Sequence, residues 1–309
     1  KNKTVFISIY NINIFVLFKV LLKQKTFFLK NFQRDYYLEA IKFFECTLIF
    51  SMIDNSKIIL QLKNFLPQKK VIVIQNGTRF AKDNITKRNE GKYKTDYYFT
   101  FNKYYSSFLS KKVKSVFLDI IFIEKNKFKI KKKYNKRKIL YISEFDKGIY
   151  ENKNNNPRFK NYFNPEKKIL PVLENFCFKN NFNLYLYPRT SLNIEKNFYY
   201  KIFKYKKFIY LNRNLVNSYD EIDDSMLVVF MHSTLGYEAL ARGKKAAVFC
   251  GRTFLDKSRS FGWPKYSFKN KSFFWTNKIN KKEILKILEA ISLMKKKVWQ
   301  KKSKKYLSD

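Results

Sequence analysis

The apolar positions of this chain fall into short continuous runs separated by amphipathic stretches, and the two alternate along most of its length. Continuous apolar runs of roughly four to eight residues predict strands, and apolar positions recurring every three or four predict helices. In the first part, Thr47–Asp54, Lys69–Arg79, Asp96–Asn102 and Ser115–Ile123 read as strands. Helices are expected over Ser56–Leu66 and around Lys103–Ser110. Val71–Ile74 has no polar alternation, the pattern of a strand buried on both faces of a parallel sheet. The basic stretch Glu124–Lys138 has no regular apolar period and reads as an interdomain linker.

Beyond it the alternation restarts. Lys138–Phe145, Phe182–Arg189, Lys207–Leu211, Ser225–His232, Lys245–Cys250 and Phe273–Asn277 read as strands. Helices are predicted over Glu166–Lys179, Ile194–Tyr205, Val216–Ile222, Leu235–Arg242 and from Lys281 to about Met294. Strands alternating with helices imply an α/β class with parallel sheets. The expected organisation is two Rossmann-like domains, residues 1–130 and 131–309, with a cleft between them.

Composition changes this picture little. The 309 residues are 45% hydrophobic and 19% aromatic, which excludes a disordered chain. The net charge of +41 favours anionic partners, but it comes from Lys far more than Arg. Arg is the better residue for planar phosphate recognition, and no nucleic-acid-binding motif is visible, so no nucleic acid is expected as partner. Three well-separated cysteines, Cys46, Cys177 and Cys250, form no metal-binding pattern and fit buried thiols in a reducing cytoplasm. Thr4–Leu22 approaches the length of a membrane span, yet Asn11, Asn13 and Lys19 interrupt it, so it reads as a strand followed by a helix, with a membrane segment as the alternative. The chain does not begin with Met, and an upstream portion is expected.

One stretch stands apart. His232–Arg252, "HSTLGYEALARGKKAAVFCGR", holds the only histidine and three of the seven glycines. It follows the buried strand Ser225–His232, so its turn falls at the carboxyl edge of a parallel sheet, where such sheets bind ligands. Ser233 or Thr234 is placed to cap the next helix, whose N-terminus attracts anions. Gly236 allows close backbone approach to a phosphate, and Glu238 sits one turn in, suited to accept two ribose hydroxyls. Gly243 is placed to end the helix. Arg189 and Arg252, each just past a strand, are candidate phosphate ligands. His232 is positioned for general acid/base work or hydrogen bonding to phosphate. Gln75, Asn76, Gly77 and Arg79, in the turn "QNGTR", are the first domain's candidates for facing substrate. Asp54 and Glu144, at strand ends, are the candidate general bases.

"HSTLGYEALARGKKAAVF" resembles the donor-site motif in the C-terminal domain of GT-B glycosyltransferases and of the non-hydrolysing UDP-N-acetylglucosamine 2-epimerases. With "GWP" (Gly262–Pro264), "FFWTN" and "IQNGTR", it resembles more closely a family of bacterial surface-carbohydrate biosynthesis proteins regarded as GT-B-like. The resemblance covers about Ile49–Leu288 and is strongest over His232–Phe249. It implies that Ser233, Thr234 and Gly236 hold a sugar nucleotide's phosphates and Glu238 its ribose. It implies a metal-independent glycosyltransferase without a resident cofactor. The partners would be a nucleotide-sugar donor and a glycan or lipid-linked acceptor, met at the inner face of the cytoplasmic membrane. The region before Ile49 is short for such a first domain, which implies truncation. An epimerase on the same scaffold and a basic nucleic-acid binder are the alternatives.

Overall fold

A computed structural model describes residues 12–23, 31–78, 93–121, 135–152, 154–190, 192–256, 259–262 and 271–307. The chain divides into two compact units, Lys1–Ile121 and Phe122–Asp309.

The first unit carries a parallel sheet ordered β1 (Leu48–Ser51), β2 (Lys70–Ile74), β3 (Tyr93–Phe99), β4 (Val113–Leu118). Two helices precede it, α1 (Ile14–Lys23) and α2 (Phe32–Phe43). Val16 and Val20 of α1 pack on Tyr36 and Ala40 of α2. The sequence pattern gave no expectation for α2. Helix α3 (Lys57–Phe65) joins β1 to β2 and is capped by the Ser56 hydroxyl. Helix α4 (Lys103–Leu109) joins β3 to β4 and is capped by Asn102. Their apolar faces and Val71, Val73, Tyr93 and Tyr98 form the core. Ile72 and Ile74 are only half-buried, so β2 alternates instead of being buried on both faces.

The second unit holds β5 (Asn135–Ile142), β6 (Asn183–Tyr187), β7 (Ile209–Tyr210), β8 (Ser225–Phe230), β9 (Ala246–Phe249) and β10 (Trp275–Thr276). The expected linker Glu124–Lys138 lies outside the described residues up to 134, and its last residues already form β5. The connecting helices are α5 (Lys147–Asn152), α6 (Asn164–Lys179), α7 (Asn193–Ile202), α8 (Ser218–Asp224) and α9 (Thr234–Ala241). Two more, α10 (Lys281–Leu293) and α11 (Lys296–Leu307), close the chain, and Trp299 of α11 packs edge-on against Phe274. All strands run parallel in the order β10-β9-β8-β5-β6-β7. Counted from β5 this is the 3-2-1-4-5-6 order of doubly wound nucleotide-binding sheets. Winding reverses between β5 and β8, and doubly wound sheets bind their ligands outside the carboxyl edge at such a point. Leu227, Val228, Val229 and Phe230 are fully buried, each contributing about 1.5–3 kcal/mol of transfer free energy.

Candidate functional site

At the reversal point β5 runs into Ser143-Glu144 and β8 into Met231-His232-Ser233. This brings Glu144 and His232, 88 positions apart, into contact. The His232 backbone N–H donates to Glu144 Oε1. Its Nδ1 lies 3.4 Å from Glu144 Oε2, and its Nε2 meets the Arg259 carbonyl. Only 6% of His232 is exposed, so its ring is held from both sides.

Arg252 lies behind this pair. The sequence made it a candidate phosphate ligand, and the structure corrects that reading, because its side chain is wholly buried among protein partners. One guanidinium nitrogen donates to Glu144 Oε2 at 2.7 Å and another to Glu166 Oε1. The third donates to the Tyr162 carbonyl at 3.1 Å, and the guanidinium stacks 3.9 Å from the Tyr162 ring. The two carboxylates respond oppositely. Burial raises Glu144, but His232 and Arg252 outweigh it and hold its carboxyl at about 2. For Glu166 burial dominates over Arg252 and pushes the carboxyl up to about 7. Glu166 Oε2 is buried without a hydrogen-bond partner.

Helix α9 begins beside His232. Ser233 occupies its N-cap position, yet its side chain makes no cap bond, contrary to the expected capping role. Thr234 is the first helical residue, and the first turn directs N–H groups and the positive dipole end to the sheet's carboxyl edge. Gly236 serves a different purpose from the one expected. A Cβ there would lie 2.2 Å from the Phe230 ring, so the glycine lets helix and sheet pack closely instead of admitting a phosphate. Glu238 is 7% exposed, and its Oε2 accepts the Tyr219 hydroxyl at 2.7 Å. Gly243, at φ +73°, ends the helix in a Schellman motif, with Gly243 N–H on Leu240 O and Lys244 N–H on Ala239 O.

Arg189 follows β6 at the same edge. Its side chain is half-exposed and reaches Asp146 Oδ2 at 3.2 Å. The buried Glu195 clamps its loop by accepting the N–H groups of Arg189 and Thr190, at 2.9 and 2.8 Å.

In the first unit, Asp54 is fully buried. Its carboxylate accepts from Asn76 N–H and the Tyr98 hydroxyl, at 3.4 and 3.3 Å. Gln75 is 1% exposed and spends its amide on Gly77 O and Phe101 N–H. Both residues fasten the strand ends to one another, which corrects their reading as groups open to substrate. Asn76 is exposed and Gly77 half-exposed, while Arg79 lies outside the described residues, as do Trp263 and Pro264 of "GWP".

Glu166, Tyr162 and Tyr219 had no place in the sequence reading. Glu166 follows Pro165 in the first turn of α6, where a carboxylate reads as an ordinary helix-dipole residue. Only the fold reveals that it meets Arg252, 86 positions away.

A solved structure described as a putative UDP-N-acetylglucosamine 2-epimerase from Listeria monocytogenes aligns at a TM-score of 0.56. The two are 14% identical, over 87% of this chain and 71% of that one. This likeness supports the fold of two Rossmann-like domains. Two structures of the wall teichoic acid polymerase TagF align more loosely. One has a TM-score of 0.43 at 11% identity, covering 83% of this chain and 66% of that one. The other scores 0.40 at 11%, covering 94% and 90%. No curated protein matches the chain at a significant level. Residues 72–309 match the model of a family described as "putative O-antigen biosynthesis protein", and the chain belongs to that family.

Proposed function

We propose that this protein is a metal-independent glycosyltransferase of O-antigen or related surface-glycan assembly, moving a sugar from a nucleotide donor onto a glycan or lipid-linked acceptor. One observation carries the reading. The switch point of the second sheet places an N-cap serine not spent on capping, a helix N-terminus and a histidine–glutamate pair at one edge. A departing nucleoside phosphate needs its growing negative charge stabilised. The α9 dipole, the Ser233 hydroxyl and the half-exposed Arg189 supply that without a metal. Glu238, oriented by Tyr219, takes the ribose hydroxyls. His232 is the acid/base residue nearest the phosphate turn, and the first domain receives the acceptor.

Contact with an anionic membrane surface is supported by α1. Ile14, Phe15, Phe18 and Leu22 are exposed on it, and no described helix is long and apolar enough to cross a membrane.

A thermal-shift screen with UDP, CDP, GDP and CMP tests the donor site. At least one nucleotide should stabilise the protein, and Glu238→Ala should remove most of that shift with the fold intact. Stabilisation by none of them would sink the assignment. A second reading, a sugar-nucleotide epimerase, is favoured by the His232–Glu144 contact, an acid/base pair that needs no acceptor. Isomerisation of a sugar nucleotide in the absence of acceptor would establish it instead.

A further inference from the structure

The chain Glu166–Arg252–Glu144–His232 runs from the first turn of α6 to the phosphate turn without a break. It contains two carboxylates and one guanidinium, all buried. With both carboxylates ionised, the buried set carries one uncompensated negative charge, and the imidazole is the group placed to offset it. With Glu166 protonated, Arg252 and Glu144 balance each other and the imidazole faces no surplus charge.

We propose that Glu166 is a positioning residue for His232: through Arg252 and Glu144 it sets how firmly the imidazole holds its proton beside the α9 N-terminus. Glu166 touches no reacting atom, since it is wholly buried behind Arg252. Its influence is electrostatic and reaches the site across a low-dielectric interior, where charges couple strongly.

Other titratable groups pack on this chain, among them the buried Glu195, which accepts from the Ser143 hydroxyl, and Arg259, whose charge acts on Tyr162. Tyr141 of β5, Tyr162 before α6 and Tyr199 of α7 are all pushed upward, chiefly by burial, and stay neutral. Burial likewise raises the Cys250 thiol beside the Met231 carbonyl. Arg259 meets His232 through its backbone carbonyl. Arg252 is held charged, because Glu166 and Glu144 outweigh its burial. Glu166, which burial pushes up to about 7, therefore changes its charge near neutrality at the far end of this chain. The Glu166 Oε2 atom is buried without a hydrogen-bond partner, so it is the oxygen open to a proton.

The meaning of this device for catalysis rests on the glycosyltransferase reading, but its test does not. His232 is the only histidine, so tag-free protein gives one imidazole signal by NMR. The native signal should titrate in two steps. In Glu166→Gln, which keeps the shape and removes the charge, it should titrate once, with its midpoint lowered by roughly half to one pH unit. Glu144→Gln should lower it further. An unchanged midpoint in a folded Glu166→Gln protein overturns the proposal. If that variant does not fold, the native titration decides, and a single-step curve overturns it. Failure here with intact nucleotide binding would leave the donor site standing, and the reverse holds equally.

Discussion

The two edges of the second sheet both bury ion pairs, and they use them differently. At the amino edge, Arg242 grips Asp223 through two nitrogens, one of them at 3.0 Å. Lys138 reaches Glu221 at 2.6 Å and Asp224 at 3.0 Å, and Lys244 donates to the Asp223 carbonyl at 2.8 Å. Burial would lower Lys138, but Glu221 and Asp224 hold it up, so the cation stays charged. At the carboxyl edge one guanidinium serves two glutamates, one pushed up and one held down, and a carboxylate oxygen is left unsatisfied. The amino edge fastens α8, α9 and two strands together. The carboxyl edge carries residual charge next to a helix N-terminus. A buried polar group left incompletely satisfied calls for an explanation, and strongly shifted ionisable groups cluster at functional sites.

The comparison breaks most sharply at the two arginines. Arg252→Leu leaves two buried glutamates without a cation and should cost about 3–5 kcal/mol in urea unfolding. Nucleotide binding by the folded fraction should fall with it. Arg242→Leu should cost a similar amount while the folded fraction loses less nucleotide affinity than with Arg252→Leu, the link of Arg242 to Glu238 running through the Tyr219 ring 4.9 Å away; equal loss of affinity in both would erase the distinction between the edges.

Glu166→Gln sharpens it next. Its carboxyl ionises near 7 in the folded protein against an ordinary 4.5, so the native state binds the proton more tightly. Native stability should therefore fall as pH rises from about 4.5 to 7, by on the order of 3 kcal/mol. The variant should lose that slope and be the more stable protein at pH 8. Glu144 contributes the opposite trend, present above 4.5 and lost as pH falls toward 2. Parallel stability curves for native and Glu166→Gln protein between pH 5 and 8 would contradict the assignment.

Smaller effects follow along α9. Gly236→Ala forces a methyl onto Phe230 and should cost about 1–3 kcal/mol, partly recovered by Phe230→Leu. Ser233→Ala should change stability by less than about 0.5 kcal/mol, because no cap bond is lost, yet weaken nucleotide binding. Asn217→Ala at α8, whose side chain does accept from Tyr219 and Asp220 N–H, should cost about 1 kcal/mol by comparison.

Much of the architecture was legible because it is local. Unbroken apolar runs placed the strands Ser225–Phe230 and Ala246–Phe249, and Gly243 marked the end of α9. Helices α2 and α11 went unread, since α2 interleaves Arg, Asp, Glu and Lys with its apolar positions and α11 is dominated by Lys. In the site, the position of His232 at the strand end was readable, but its partner was not. Glu144 meets it only because β5 and β8 are neighbours, which strand order decides and no local pattern encodes. Gly236 shows the complementary error. Its smallness was evident, but whether a ring or a ligand required it depended on where Phe230 points.

The most direct measurement is the NMR signal of the one histidine during titration with nucleoside diphosphates and monophosphates. A nucleotide bound at the Ser233 turn should shift that signal saturably, and Glu238→Ala should weaken the response at least tenfold. A nucleotide that binds tightly while the His232 signal stays still would place the donor elsewhere and contradict the account.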